Sequence, residues 1–212
     1  MALPFLFVIG DSISLGYGPH LDTFARDQYR YARKSGEEAW LPEAVRAQGA
    51  NGGDSTAVLR YLDAMAAADV PRPDVLLLNC GLHDIRHDPA TGAKQVPPET
   101  YAANLARILP LARGLCGRLI WVRTTDVDEA MHNIDTRPFY RFNRDIDAYN
   151  ALADDLMRAA GVEIADLRGF TAAIPGEIYR DGVHFLDHVC ALQGAFLAGY
   201  LQRAPAAMPR PV

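Results

Sequence analysis

The chain is short of cysteine and has no long apolar run, and each scarcity sets a limit. Three cysteines in 212 residues, Cys80, Cys116 and Cys190, cannot all pair with one another. They read as reduced packing thiols and favour a reducing, cytoplasmic compartment over a disulfide-stapled one. No run approaches the roughly 18 apolar residues of a membrane span. The apolar start, Leu3–Ile9, is about seven residues long and has neither a basic leader nor a small-residue cleavage site, so it reads as a strand and not as a signal peptide. Clusters of Lys and Arg are missing and the net charge is −5, which argues against a nucleic-acid partner. A Gly-rich G-x-G-x-x-G turn is absent after the first strand, and Asp11 would repel an anion there, which argues against phosphate binding.

What is present is the balance of a globular protein: half the residues are apolar and 22% are charged. The length suits one domain, expected over residues 1–203, with a proline-containing tail at 204–212 expected to hang free. Unalternating apolar runs predict strands buried on both faces at Leu3–Ile9, Val75–Asn79, Leu119–Arg123 and Val162–Asp166, with a more polar edge strand at Gln28–Arg33. Helices are predicted at Pro19–Ala25, Ser55–Ala68, Pro98–Gly114, Asn143–Ala160 and Asp187–Arg203, with Gly114 and Gly161 as C-terminal caps. Alternating elements of this kind mean a doubly wound α/β domain. Three segments fall outside the pattern, at Ser35–Ala50, Ile85–Val96 and Thr125–Phe142, and long connections in compact domains are usually functional.

Ser12 follows the first strand by two residues, where an open α/β sheet presents its reactive groups. Near the other end, Asp181 and His184 are three apart, so a carboxylate could orient an imidazole that accepts a serine proton. Between them come possible oxyanion donors: Asn51-Gly52-Gly53, with little side chain in the way, and Gly81-Leu82-His83-Asp84, just past the end of the strand Val75–Asn79. Each piece has a plainer reading. Asp11 or Ser12 could simply cap a helix, as Gly53-Asp54-Ser55, a second Gly-Asp-Ser without a leading strand, is expected to do. Asp181 and His184 could sit in an ordinary surface loop. His83, Asp84 and His87, or Asp181, His184, Asp187 and His188, could be metal ligands, though the spacing matches no H-E-x-x-H pattern. Four motifs in this order, three of them tied to strand ends or turns, favour the catalytic reading.

These blocks resemble the SGNH/GDSL hydrolase superfamily of esterases, lipases and acyl-transferring relatives. The resemblance implies a three-layer α/β/α sandwich with a five-stranded parallel sheet in the order 2-1-3-4-5. It implies Ser12 as nucleophile, His184 as base and Asp181 as its orienter. It also implies an oxyanion hole from the Ser12 N–H, the Gly53 N–H and the side chain at 83, with Asp11, Asn51 and Asp84 in support. No metal or cofactor is implied. One departure stands out: the third block usually carries Asn before its Asp, where this chain has His83, as a branch of the superfamily does. A histidine offers one donor when neutral and two when protonated, so the hole could depend on pH and tautomer. The expected activity is hydrolysis of a short-chain ester of a polar or carbohydrate alcohol. An acyltransferase, a thioesterase or a non-catalytic carbohydrate-binding relative are the alternatives. Trp40, Glu37, Glu38, Asp126, Asp128, Glu129, Phe139, Tyr140 and Arg141 are the loop residues that either contact such a substrate or merely anchor the loops.

Overall fold

Val75, Leu76, Leu77 and Leu78 are all buried, as an apolar run without alternation requires of a strand covered on both faces. In the computed structural model, which describes residues 2–203, this segment is the third of five strands; the tail expected at 204–212 lies outside the described residues. The strands are β1 (Phe5–Ile9), β2 (Arg30–Arg33), β3 (Val75–Leu78), β4 (Arg118–Val122) and β5 (Glu163–Ala165). They form one all-parallel sheet in the order β2-β1-β3-β4-β5, the order that the family resemblance implies. The edge strand β2 is only partly covered, which its polar sequence Arg-Tyr-Ala-Arg anticipates.

The helices are α1 (Ser12–Ala25), α2 (Glu43–Arg46), α3 (Ser55–Ala67), α4 (Pro98–Leu115), α5 (Glu129–His132), α6 (Asn143–Ala159), α7 (Leu167–Ala172) and α8 (Asp187–Leu201). They cover both faces of the sheet: α1, α7 and α8 pack together, as do α3, α4 and α6. Several boundaries differ from expectation for identifiable reasons. Helix α1 begins at Ser12, not Pro19, because Asp11 caps it; Gly16 and Gly18 in its first two turns lie against Cys190 and Tyr31. Gly114 lies inside the last turn of α4 and does not cap it, whereas Gly161 follows α6 as expected and donates its N–H to Arg158 O at 3.0 Å. Short helices α2 and α5 interrupt segments expected to be loops, and α7 follows β5 directly.

The register sets the strand ends side by side. Ile9 pairs with Leu78, Leu78 with Trp121 and Trp121 with Ile164, so the residues leaving β1, β3 and β4 emerge at one edge. Asn79 stitches that edge together: its N–H donates to Ile9 O at 3.0 Å and its amide to Val122 O at 2.7 Å. This is the edge on which an α/β sheet builds its site.

Candidate active site

The turn from β1 into α1 resolves the competing readings of Asp11 and Ser12. Asp11 Oδ1 accepts the Ile13 N–H at 2.9 Å, so Asp11 is the N-cap. Ser12 occupies the first turn with its hydroxyl turned away from the helix, and its Oγ lies 2.8 Å from His184 Nε2. Asp11 itself is 1% exposed, and burial raises its carboxyl above the usual range against the Ile13 N–H and the nearby Arg141, His184 and Arg33 charges.

Asp181 and His184 do not share a helical turn. They lie in an irregular loop in which Asp181 Oδ1 accepts the N–H groups of Val183 at 3.2 Å and His184 at 2.8 Å. The same carboxylate accepts His184 Nδ1–H, at 2.8 Å to Oδ2. Burial pulls the Asp181 carboxyl up, but donation from the His184 and Val183 N–H groups and from the His184 ring outweighs it and brings the group to about 2. The carboxylate therefore stays ionised and holds the ring with Nε2 free to take the Ser12 proton. The loop leans on α5: Asp128 N–H donates to Gly182 O at 2.8 Å, and Gly182 has φ +82 with room for no more than hydrogen, since a Cβ would lie 2.7 Å from His132 N.

The Gly-Asp-Ser copy at 53–55 behaves as a helix start. Asp54 caps α3 through the Ala57 N–H at 2.9 Å, and Ser55 is fully buried, its N–H donating to Asp84 Oδ1 at 2.9 Å and Oδ2 at 3.1 Å. Asp84 thus ties the segment after β3 to α3. Burial raises its carboxyl to about 7 in spite of the Ser55 hydrogen bonds. The loop before it packs closely against β1's exit: Gly52 N–H donates to Gly10 O at 2.9 Å, and a Cβ on Gly52 would meet that same oxygen at 2.9 Å. Gly53 N–H, expected to point at an oxyanion, donates to Asn51 Oδ1 at 2.8 Å. Lys34, fully buried, holds the loop from behind through Asn51 O at 3.0 Å and Gly49 O.

His83 is neutral. Burial and the neighbouring Arg86 and Arg141 charges push its ring down to about 3, against a small pull from Asp54. Arg86 Nη2 lies 3.4 Å from His83 Nε2 and donates to it, since a guanidinium accepts nothing. No motif marks Arg86 or His132, because both lie in segments without periodic pattern. Arg141, read from the sequence only as a loop residue that contacts substrate or anchors the loop, links the two halves of the site: it is 4% exposed, donates Nε–H to Leu82 O at 2.6 Å and Nη1–H to His132 Nε2 at 3.1 Å. Phe139 lies between Arg86 and Arg141, with guanidinium carbons 4.3 and 4.7 Å from its ring centroid.

Most of the other aromatic and acidic loop residues are anchors. Trp40 packs on Tyr61 at 5.5 Å, Glu38 accepts from Tyr61 Oη at 2.9 Å, Glu129 accepts the Asn143 N–H at 2.7 Å, Asp128 caps α5, and Asp126 pairs with Arg168 at 2.6 Å. His87 pairs with Asp145 at 2.8 Å and His20 with Asp187 at 3.0 Å. Among the described residues, no three His, Cys, Asp or Glu side chains come together as a metal site would need. Two cavities of about 330 Å³ flank the site, one lined by Ser12, Ile13, Leu15, His184, Phe185 and Cys190, the other by Gln48, Asn51, Gly53, Arg60, His83 and Gln95.

The sequence matches the GDSL-like Lipase/Acylhydrolase family over residues 8–188. The chain belongs to that family. It is accordingly a serine hydrolase acting on ester bonds. Among solved structures, the GDSL-family chain resembles a lipase/acylhydrolase from Enterococcus faecalis, at TM-score 0.69 and 16% identity over 94% of this chain and 95% of that one. It also resembles the acetylxylan esterase Axe2 from Geobacillus stearothermophilus, at 0.66 and 17% over 97% of each, and TesA, at 0.64 and 18% over 93% and 98%. At these identities the likeness speaks for the fold. No protein of curated function matches the sequence significantly.

Proposed function

We propose that Ser12 attacks an ester carbonyl, with His184 as general base and then general acid and Asp181 as its orienter. The observation that carries this reading is the relay itself: Ser12 Oγ to His184 Nε2 at 2.8 Å, and His184 Nδ1 to Asp181 Oδ2 at 2.8 Å. As Oγ bonds to the carbonyl carbon, its proton passes to Nε2, and the imidazolium is stabilised by the ionised Asp181. The carbonyl oxygen, now an oxyanion, is received by the Ser12 N–H and His83; Gly53 N–H joins them by sharing or releasing its bond to Asn51. Collapse expels the alcohol, which takes the proton from Nε2, and a water activated by His184 then frees the acid from the acyl-enzyme.

The favoured substrate is a short acyl group on a polar or carbohydrate alcohol. The cavity beside Ser12 and His184 holds about 330 Å³, near the lower end of ligand pockets, and the cavity beside His83 is lined by amides and an arginine suited to hydroxyl groups. The resemblance to an acetylxylan esterase points the same way. Two experiments test the reading: a fluorophosphonate should label Ser12, and Ser12→Ala should abolish both labelling and turnover of p-nitrophenyl acetate. Undiminished turnover in that variant would sink the proposal. A panel of acyl esters from acetyl to palmitoyl, with acetylated sugars, should show activity falling with chain length.

A further inference from the structure

Arg86 stands out as a cation that neither the fold nor the proton relay uses. Among the described residues it has no carboxylate within ion-pair distance, and its Nε is buried without a partner. Even a half-buried charge is costly unless something repays it. Its position is nevertheless well fixed. The backbone holds it through Arg86 N–H to His83 O at 3.4 Å and Gln95 N–H to Arg86 O at 2.8 Å, and the guanidinium rests on the Phe139 ring. From there Nη2 meets His83 Nε2 at 3.4 Å.

We infer that Arg86 is a positioning residue for the oxyanion hole: by donating to Nε2 of His83 it keeps the ring proton on Nδ1 and makes Nδ1–H the donor offered to the ester oxygen. The inference rests on the ester-hydrolysis reading above. Which ring nitrogen of a neutral histidine carries the proton is set by the bond the other one makes. A donor at Nε2 leaves Nδ1–H as the single ring donor, and a positive charge behind the ring strengthens it in a site shielded from water. The groups facing His83 are Arg86, Arg141, Asp54 and His184, three of them able to carry positive charge, so protonation of the ring is opposed from more than one element. An amide at this position, as the family usually has, needs no such partner. The arginine therefore completes what the histidine lacks: a fixed direction for its proton.

The test reads the ring directly. In wild-type protein labelled with 15N-histidine, with His83→Asn used to assign the signals, the His83 ring should show a protonated Nδ1 and a bare Nε2, unchanged from pH 8 to pH 5. In Arg86→Met the pattern should become a mixture of tautomers that titrates within that range. On p-nitrophenyl acetate, Arg86→Met should lower kcat about tenfold, less than the roughly 10²–10³ for removing a donor outright. KM should stay within about twofold on the same scale, and Arg86→Lys should recover part of the loss. A wild-type ring protonated at Nε2 would overturn the inference. So would a full kcat on the acetate ester in Arg86→Met with a loss confined to the hemisuccinate ester, which would make Arg86 a subsite for a substrate anion. If the wild-type protein turned over no ester at all, the function proposed above would fail, while the dependence of the His83 ring on Arg86 would still be decided by the spectrum.

Discussion

At position 83 an imidazole stands where the family resemblance leads one to expect an amide, and its environment decides what that exchange does. Burial and two arginines hold the ring near 3, so it is neutral at any ordinary working pH and offers one donor. The pH and tautomer dependence that the sequence raised as a possibility is thereby closed off on the protonation side. His83→Ala should lower kcat on a short ester by roughly 10²–10³, the usual cost of one oxyanion donor. His83→Asn should stay well above the alanine variant, because an amide supplies the same kind of donor. The wild-type pH–rate profile should carry no acid limb above pH 5 that disappears in His83→Asn. A loss below threefold in His83→Ala would remove the residue from the hole. Ser12, Asp181 and His184, which the fold brings into hydrogen-bonding series, were marked out by residue type, by the place of Ser12 after the first strand and by the family resemblance of the blocks that hold them. Arg86 was not, because an isolated arginine three residues beyond a motif has no pattern to betray it.

Among the elements, the ones read correctly were those whose own sequence carries the signal: four apolar runs, a polar edge, and helices long enough to show a face. Those missed or misplaced depend on tertiary packing. Helix α1 hides its first two turns behind Gly16, Gly18 and Pro19, and the small residues are explained only by what lies across from them, Cys190 on α8 and Tyr31 on β2. The four-residue helix α5 is too short for any periodicity, yet it supports the 181–184 loop. Gly182 is where the two meet, with a left-handed φ of +82 and a Cβ position 2.7 Å from His132 N. Gly182→Ala would strain the backbone and push the loop off α5 at once. The expected result is a kcat reduced by at least tenfold, since misplacement by about 1 Å is enough for a large loss, with the cooperative thermal transition retained. Steady-state kinetics and a melting curve on the same sample check it; wild-type kcat would show that α5 does not position the relay.

For the molecule as a whole, the doubly wound alternation of strands and helices follows from pattern and the sheet order from the family resemblance, whereas the polar ties that lock the layers together follow from neither. Asp84 is the clearest of these: fully buried, it joins the segment after β3 to the start of α3 through both its oxygens, and its carboxyl is raised to about 7. Its contribution to stability has a definite sign. Below the ordinary carboxylate value of about 3.9 both the folded and the unfolded chain are protonated there. Above it the unfolded chain has released a proton that the folded chain still holds, so stability falls as pH rises from about 4 to about 7, by up to about 4 kcal/mol for three pH units. His83 and His132, lowered to about 3 and about 4, act the other way: the stability linked to them is lost as pH falls through that range. The wild-type profile therefore sums opposing trends, and only a difference isolates Asp84. Asp84→Asn keeps an oxygen for the Ser55 N–H and cannot titrate. Its unfolding free energy in urea, subtracted from that of the wild type at each pH, should rise steadily in the variant's favour from pH 4 to pH 7. A flat difference would mean that Asp84 is ionised in the fold at acid pH. Its two Ser55 hydrogen bonds would then outweigh the cost of its burial.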